Sequence, residues 1–215
     1  MASKHYYSPA EENINIISHT IGFILSMIAS VFLLIHANLH GTALHIVSFG
    51  IFGVSLMILY AASAFYHSVK TAKVRNRWNI IDHASIYVLI AGTYTPFTLV
   101  TLKGMIGWVF FGISWGMALT GIILKLFFTG KFDLLSTIMY VLMGWIIIFA
   151  IKPLVHNLPS EGVFWLFAGG ISYTVGAVLY SIDKIKFNHA IFHIFVLMGS
   201  FCHFMSVFFY VLPGE

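Results

Sequence analysis

Apolar runs of membrane-spanning length constrain the fold of this chain more than any other feature. One helical crossing of a bilayer needs about 18 or more mostly apolar residues. Seven runs meet this requirement, at about 14–37, 43–67, 80–101, 105–126, 134–151, 162–182 and 187–211. Only 8% of the 215 residues are charged, whereas a soluble domain is roughly a quarter charged. The sequence therefore predicts an all-α, polytopic integral membrane protein in which residues 1–215 form a single seven-helix transmembrane domain.

The distribution of Lys and Arg between these runs predicts the orientation, because cytoplasmic loops carry an excess of positive charge. If the N-terminus is inside, nine of these residues lie inside: Lys4, Lys70, Lys73, Arg75, Arg77, Lys125, Lys131, Lys184 and Lys186. The other two, Lys103 and Lys152, lie outside. We therefore expect a cytoplasmic N-terminus and an external C-terminus. The four cations between residues 70 and 77 are expected to be solvated and to face an anionic inner leaflet.

The last apolar run carries three histidines, and ionisable groups within a membrane are costly and usually mark a function or a buried partner. His189 and His193 are four residues apart, so they lie on one face of a helix at a spacing common among metal ligands. The alternative is that each histidine forms a hydrogen bond to a neighbouring helix. For His203, further along the same run, a hydrogen bond of this kind is favoured over the extension of a buried polar path.

Polar residues in three other runs fall at the same predicted depth as the His189–His193 pair. They are Glu12, Asn15 and His19 at the start of the first run, Ser63 and His67 at the end of the second, and Asp82 and His83 at the start of the third. Helical rise places all of them in the cytoplasmic third of the bilayer. Independent polar residues need not agree in depth, so we infer a shared site.

Two alternatives apply to individual members of this set. The polar residues of the first run also fit an interfacial role, with hydrogen bonds to neighbouring helices. Asp82 also fits a cap at the N-terminus of its helix, where an acid interacts favourably with the helix dipole. Further along the third run, Pro96 predicts a kink or a loosened hydrogen-bond ladder. The fourth, fifth and sixth runs offer packing glycines but no acid or histidine, and we expect no chemistry from them.

The residues of the inferred site suggest a metal centre. His67, His189 and His193 supply three neutral nitrogen ligands, and three protein ligands with an open position are typical of catalytic zinc. Imidazoles with a carboxylate and without a thiolate favour zinc over softer metals. Asp82 is expected to hold a water molecule and accept its proton, and Ser63 to bind an outer ligand or a developing oxyanion.

The order and spacing of these motifs resemble the hemolysin III family over nearly the whole chain. The matching residues are Glu12-x-x-Asn15-x-x-Ser18-His19-x-x-Gly22, Ser63-x-x-x-His67, Asp82-His83 followed by Ala91 to Pro96, and His189-x-x-x-His193. That bacterial family is grouped with the progestin and adipoQ receptors and, more distantly, with the alkaline ceramidases. The resemblance implies a multi-pass protein of the bacterial cell membrane, with zinc on the three matching histidines toward the cytoplasmic side. It also implies that Asp82, with Ser63 beside it, works on the water at the zinc, and that the activity is hydrolysis of lipid amides such as ceramides.

The leading hypothesis is therefore a zinc-dependent intramembrane hydrolase that acts on a lipid amide or ester. Its expected partners are membrane lipids, and nothing in the sequence implies a nucleic acid or a soluble partner. The first alternative is a cytolytic, pore-forming protein with a structural zinc, and the second is a receptor or sensor without turnover. A pore requires a polar stripe through the full depth of the bundle, but the outer half is poor in polar residues apart from hydroxyls such as Thr95, Thr98 and Thr101.

Overall fold

The computed structural model of the protein describes residues 7–128 and 133–212, which leaves Lys4 and Lys131 of the charge count outside the described residues. The helices are α1 (Pro9–His40), α2 (Ala43–Ser68), α3 (Ala72–Pro96), α4 (Gly104–Phe128), α5 (Asp133–Gly144), α6 (Ile151–Asn157), α7 (Ser160–Tyr180) and α8 (Asn188–Ser206). Within the described residues, seven helical segments are long and apolar enough to cross a membrane. The predicted all-α bundle of seven spans is confirmed.

Neighbouring spans pack against each other along the chain, and the last span returns to the first. α1 packs on α2, α2 on α3, and α7 on α8, while α8 also contacts α1. The third span is the most buried of the seven and the fifth is the least buried. This arrangement brings the end of α2 and the starts of α1, α3 and α8 to one end of the bundle.

The third helix begins earlier than the hydropathy of the sequence predicts. α3 starts at Ala72 rather than near residue 80, so most of the basic segment 70–77 forms its first two turns. At the other end, α3 passes at Pro96 into π-helical turns over Phe97–Leu102, which confirms the predicted disturbance of the ladder. The Thr98 hydroxyl donates to the Tyr94 carbonyl at 3.0 Å and stabilises this transition.

The fifth span is not the continuous helix that the sequence predicts. α5 ends at Gly144, and a 3-10 segment, Ile146–Ala150, connects it to α6. The side chain of Tyr94 explains the break, because its hydroxyl donates to the Gly144 carbonyl at 2.6 Å and accepts from the Ile147 amide at 3.2 Å. The phenol thereby replaces backbone partners that a continuous helix would supply.

Candidate metal centre and the adjoining cavity

Three histidines converge at the end of the bundle where α1, α3 and α8 begin. His67 lies in the last turn of α2, and His189 and His193 lie on one face of the first turns of α8. The Nε2 atom of His189 is 3.0 Å from that of His67 and 3.0 Å from that of His193. All three side chains are buried. The structure therefore brings together the three histidines that the sequence predicts as metal ligands.

The outer nitrogen of His67 is held by the first helix. His67 Nδ1 lies 2.7 Å from the Glu12 carboxylate, and the Asn15 amide nitrogen lies 3.5 Å from the same atom. Glu12 and Asn15 were also considered as interfacial groups, but they turn inward and contact the histidine cluster. The bond to Glu12 fixes the orientation of the imidazole ring and favours the tautomer with its proton on Nδ1.

Tyr7, just before α1, performs the same role for His189. The Tyr7 ring stacks on the His189 ring at a centroid distance of 4.5 Å, and its hydroxyl lies 3.0 Å from Nδ1. Burial, with a smaller contribution from the neighbouring Tyr180, raises the pKa of the Tyr7 phenol far above its ordinary range. Tyr7 is therefore neutral, and its oxygen can accept a hydrogen bond from Nδ1–H of His189.

His193 also has a partner on the first helix. Its Nδ1 lies 3.5 Å from the Ser18 hydroxyl, which itself donates to the Asn15 carbonyl at 3.1 Å. The serine oxygen is thus free to accept from Nδ1–H. The ring of His19 stacks on His193 at 3.5 Å between centroids. Neither ring nitrogen of His19 forms a well-aligned hydrogen bond among the described residues.

The donor set fits a zinc ion. With Nδ1 of each ring placed to donate outward, each Nε2 carries the lone pair that a metal requires. Zinc–nitrogen bonds of about 2.0–2.1 Å at tetrahedral angles separate ligand atoms by about 3.3 Å. The two Nε2 separations of 3.0 Å are close to this value. The ligand atoms of the three histidines all lie within 4.8 Å of one another, so one ion can reach all three.

Asp82 and Ser63 lie beside the cluster in the wall of the same cavity. Asp82 is buried and lies ten residues into α3, so the alternative that it caps the helix N-terminus is wrong. Ser63, on α2 one turn before His67, is next to the Asp82 carboxylate. Its hydroxyl is buried and forms no well-aligned hydrogen bond in the described part of the chain. Both residues line the cavity, so a molecule bound there can contact them.

The cavity runs from the metal centre toward the middle of the bundle. It has a volume of about 140 Å³, and both His189 and His203 line it. These two residues are about 21 Å apart along α8 at 1.5 Å of rise per residue. The remaining wall is mostly apolar and includes Ile90, Phe97, Leu166, Phe167, Phe192 and Val196. The cavity is therefore an extended, mostly apolar space with His189 and His193 at one end.

His83 and His203, which were singled out with the site, lie at opposite ends of this cavity. His83 Nδ1 donates to the Asn79 carbonyl at 2.8 Å and lies 3.9 Å from the Asp82 carboxylate. His203 Nε2 donates to the Leu166 carbonyl on α7 at 3.1 Å, which confirms the expected hydrogen bond to a neighbouring helix. Neither residue belongs to the group of three converging ligands.

Two cations near the site are buried, which the sequence alone does not indicate. Arg75 was expected to be solvated, but it is 6% exposed and its guanidinium binds the Glu12 carboxylate. Arg75 lies seven residues before Asp82, so the two residues share one face of a helix. This relation can be recognised only if α3 is known to start at Ala72 and so to include Arg75. The fourth span was expected to contribute no chemistry, but its Lys125 is 3% exposed and lines the cavity.

Comparison with known proteins gives consistent similarity over nearly the whole chain. Residues 7–204 match the model of the family described as "Haemolysin-III related". The chain is 52% identical over 203 residues to hemolysin-3 of Bacillus cereus, covering 94% of this chain and 93% of that protein. It is 52% identical over 200 residues to the hemolysin-3 homolog of Bacillus subtilis, covering 93% of this chain and 94% of that protein. It is 27% identical over 168 residues to the human monocyte to macrophage differentiation factor, covering 75% of this chain and 69% of the human protein.

Proposed function

Because the chain belongs to the hemolysin III family, whose relatives include proteins of the progestin and adipoQ receptor type, we propose that it is a zinc-dependent hydrolase acting on an amide or ester bond of a membrane lipid. One observation carries the proposal. His189 and His193, whose ring nitrogens converge with that of His67, lie in the wall of an apolar cavity together with Asp82 and Ser63. A purely structural zinc site is usually closed by a fourth protein ligand, and this group has three.

Zinc on the three histidines would supply a Lewis acid for the carbonyl group and for water. Asp82 accepts the proton of the attacking water as the water oxygen adds to the carbonyl carbon. The same residue then returns the proton to the leaving nitrogen or oxygen as the bond to the carbonyl carbon breaks. The products are a carboxylic acid and an amine or alcohol. Ser63 donates a hydrogen bond to the oxyanion that develops during the addition.

The apolar cavity has two tasks in this reaction. Its length along α8 accommodates the lipid chain and positions the carbonyl group at the metal end, and positioning of this kind lowers the barrier by removing the entropic cost of encounter. Its apolar wall excludes bulk water, so the charges of the Asp82 carboxylate and of the oxyanion are weakly screened. The family resemblance implies a lipid amide or ester as substrate, and the apolar cavity, which can hold a lipid chain, supports this proposal.

We further propose that the centre faces the cytoplasm. The nine-to-two bias of Lys and Arg supports this orientation, because His67, Asp82 and His189 lie at the end of the bundle where those cations are concentrated. Membrane lipids of the inner leaflet would then reach the cavity with their polar ends nearest the metal.

The names of the two Bacillus relatives favour a second candidate, a cytolytic membrane protein in which zinc is structural. The two candidates make opposite predictions for turnover. The test is to purify the protein in detergent, measure its zinc content, and assay the release of fatty acid from a ceramide and from an ester lipid. The hydrolase predicts activity that is lost on chelation and restored by zinc, whereas a structural zinc predicts no hydrolysis in any of these states.

A further inference from the structure

Arg75 links three helices at the metal centre. It lies in the first turn of α3, and its Nη1 donates to the carbonyls of Tyr66, His67 and Val69 at 3.3, 3.5 and 3.4 Å. These carbonyls belong to the end of α2, where a helix leaves its last carbonyl groups without intrahelical partners. The guanidinium thus binds the backbone of the turn that carries His67.

The same guanidinium also holds the carboxylate that orients the His67 ring. Arg75 Nη2 donates to Oε1 of Glu12, and the other oxygen, Oε2, accepts from His67 Nδ1 at 2.7 Å. One carboxylate of α1 therefore joins an arginine of α3 to a metal-binding histidine of α2. The Arg75 guanidinium also lies 4.5 Å from the centre of the Tyr66 ring, which fixes its plane.

We propose that Arg75 is a positioning residue of the metal centre that acts through Glu12 on His67. The inference rests on the zinc site proposed above. Arg75 fixes the backbone of His67 at one end of its guanidinium, and at the other end it fixes the ring through Glu12. Without it, Glu12 loses the arginine that pairs with it among the described residues, and the His67 Nε2 atom loses its fixed direction toward the other two ligands.

The planar fork of the guanidinium is required for this role. Lysine keeps the positive charge but is a point donor on a flexible stem, so it cannot bind the α2 carbonyls and the Glu12 carboxylate together in a fixed geometry. Arg75→Lys therefore changes the geometry of the link. It keeps the positive charge, which contributes to the predicted orientation of the protein in the membrane. Arg77→Lys, an exposed position two residues away, is the matched control.

The experiment measures zinc affinity by competition with a chromophoric chelator, using full-length protein in detergent. Loss of an outer partner of a metal ligand typically lowers affinity about 10–100-fold. We expect a decrease in this range for Arg75→Lys and for Glu12→Gln, and none for Arg77→Lys. The absorption spectrum of the cobalt-substituted protein should change in the same two variants, because the direction of one ligand changes.

The double variant Arg75→Lys, Glu12→Gln tests whether the arginine acts through the carboxylate. Residues that act through one another give non-additive effects, so the double variant should bind zinc about as weakly as the weaker single variant. Fully additive losses would overturn the route through Glu12, and an unchanged affinity in Arg75→Lys would overturn the proposal. If Arg75→Lys does not fold, Glu12→Asp tests the same link, because its shorter side chain cannot reach both partners. Unchanged zinc affinity in Glu12→Asp would then overturn the proposal.

These outcomes differ from failure of the proposed function. A wild-type protein that binds no zinc overturns the metal site and this inference together. A wild-type protein that binds zinc without hydrolysing any lipid overturns the hydrolase but leaves the role of Arg75 intact, since affinity and the cobalt spectrum are measured without turnover. Equal affinity in the wild type and in Arg75→Lys overturns this inference alone.

Discussion

Replacement of Asp82 by asparagine separates a catalytic metal centre from a structural one. The change keeps the size of the side chain and one oxygen acceptor but removes the ability to accept a proton at neutral pH. Asp82 is not among the three converging ligands, so zinc should stay bound. It lies ten residues inside α3, so helix capping is not affected. The substitution therefore tests the chemical role of the carboxylate with little effect on the fold.

The expected magnitude follows from the role assigned to Asp82. Loss of a general base lowers the rate typically by about 10²–10⁴-fold, which corresponds to about 3–5 kcal/mol in the activation barrier. We expect a loss of turnover in this range for Asp82→Asn, with zinc content and thermal unfolding close to those of the wild type. The assay compares zinc per protein with the release of fatty acid in the same preparation. Asp183→Asn, at an exposed acid in the connection before α8, is the control.

Two results would refute this reasoning in different ways. Unchanged turnover with zinc bound would show that Asp82 does not act as the base, and the hydrolase would lose its main catalytic residue. Joint loss of zinc and of thermal stability would show that Asp82 is a fourth ligand, as a closed structural site requires. The second result would favour the cytolytic candidate.

Three further predictions concern the metal, the orientation and the broken span. Alanine in place of any one of the three proposed metal-binding histidines should abolish the thermal stabilisation that zinc gives. For the wild type this stabilisation is about 2.7 kcal/mol at a zinc concentration 100 times the Kd. The control His156→Ala, at an exposed position, should retain it. A reporter fused after Glu215 should be external and one inserted between residues 181 and 187 cytoplasmic; reporters on the same side would contradict seven spans. Tyr94→Phe should lower the free energy of unfolding by about 1–3 kcal/mol in thermal or denaturant unfolding, because it leaves a carbonyl and an amide at the helix break unpaired. Tyr87→Phe, which loses only a 3.9 Å contact to a methionine sulfur, should change it little.

The sequence predicts the seven spans and the histidine cluster because both depend on local patterns. Apolar length defines a span, and the four-residue spacing of His189 and His193 places both on one face whatever the rest of the fold. The agreement in depth between His67, Asp82 and this pair then follows from counting residues along each helix. These features need no knowledge of how the helices are arranged around one another.

The features that the sequence analysis missed depend on contacts between distant parts of the chain. Arg75 pairs with Glu12, which is 63 positions away, and the polar segment around it hides the true start of α3 at Ala72. The break in the fifth span is made by Tyr94, 50 positions before the carbonyl that it binds. Hydropathy and helical periodicity carry no information about such pairs. The burial of Lys125 likewise depends on the helices around it and is not visible in the sequence.

The ligands of the metal centre come from the second and the last spans, and this has a consequence for the biogenesis of the protein. His67 and His189 are separated by 122 positions, and the helices between them must all be inserted before the two imidazoles can meet. The proposed zinc ion would therefore be acquired only after the ribosome has completed the last span and the translocation machinery has released it to the bundle. A chain truncated before α8 retains one of the three proposed ligands and would not bind the metal. Metal loading in the cell would thus mark chains whose membrane insertion is complete.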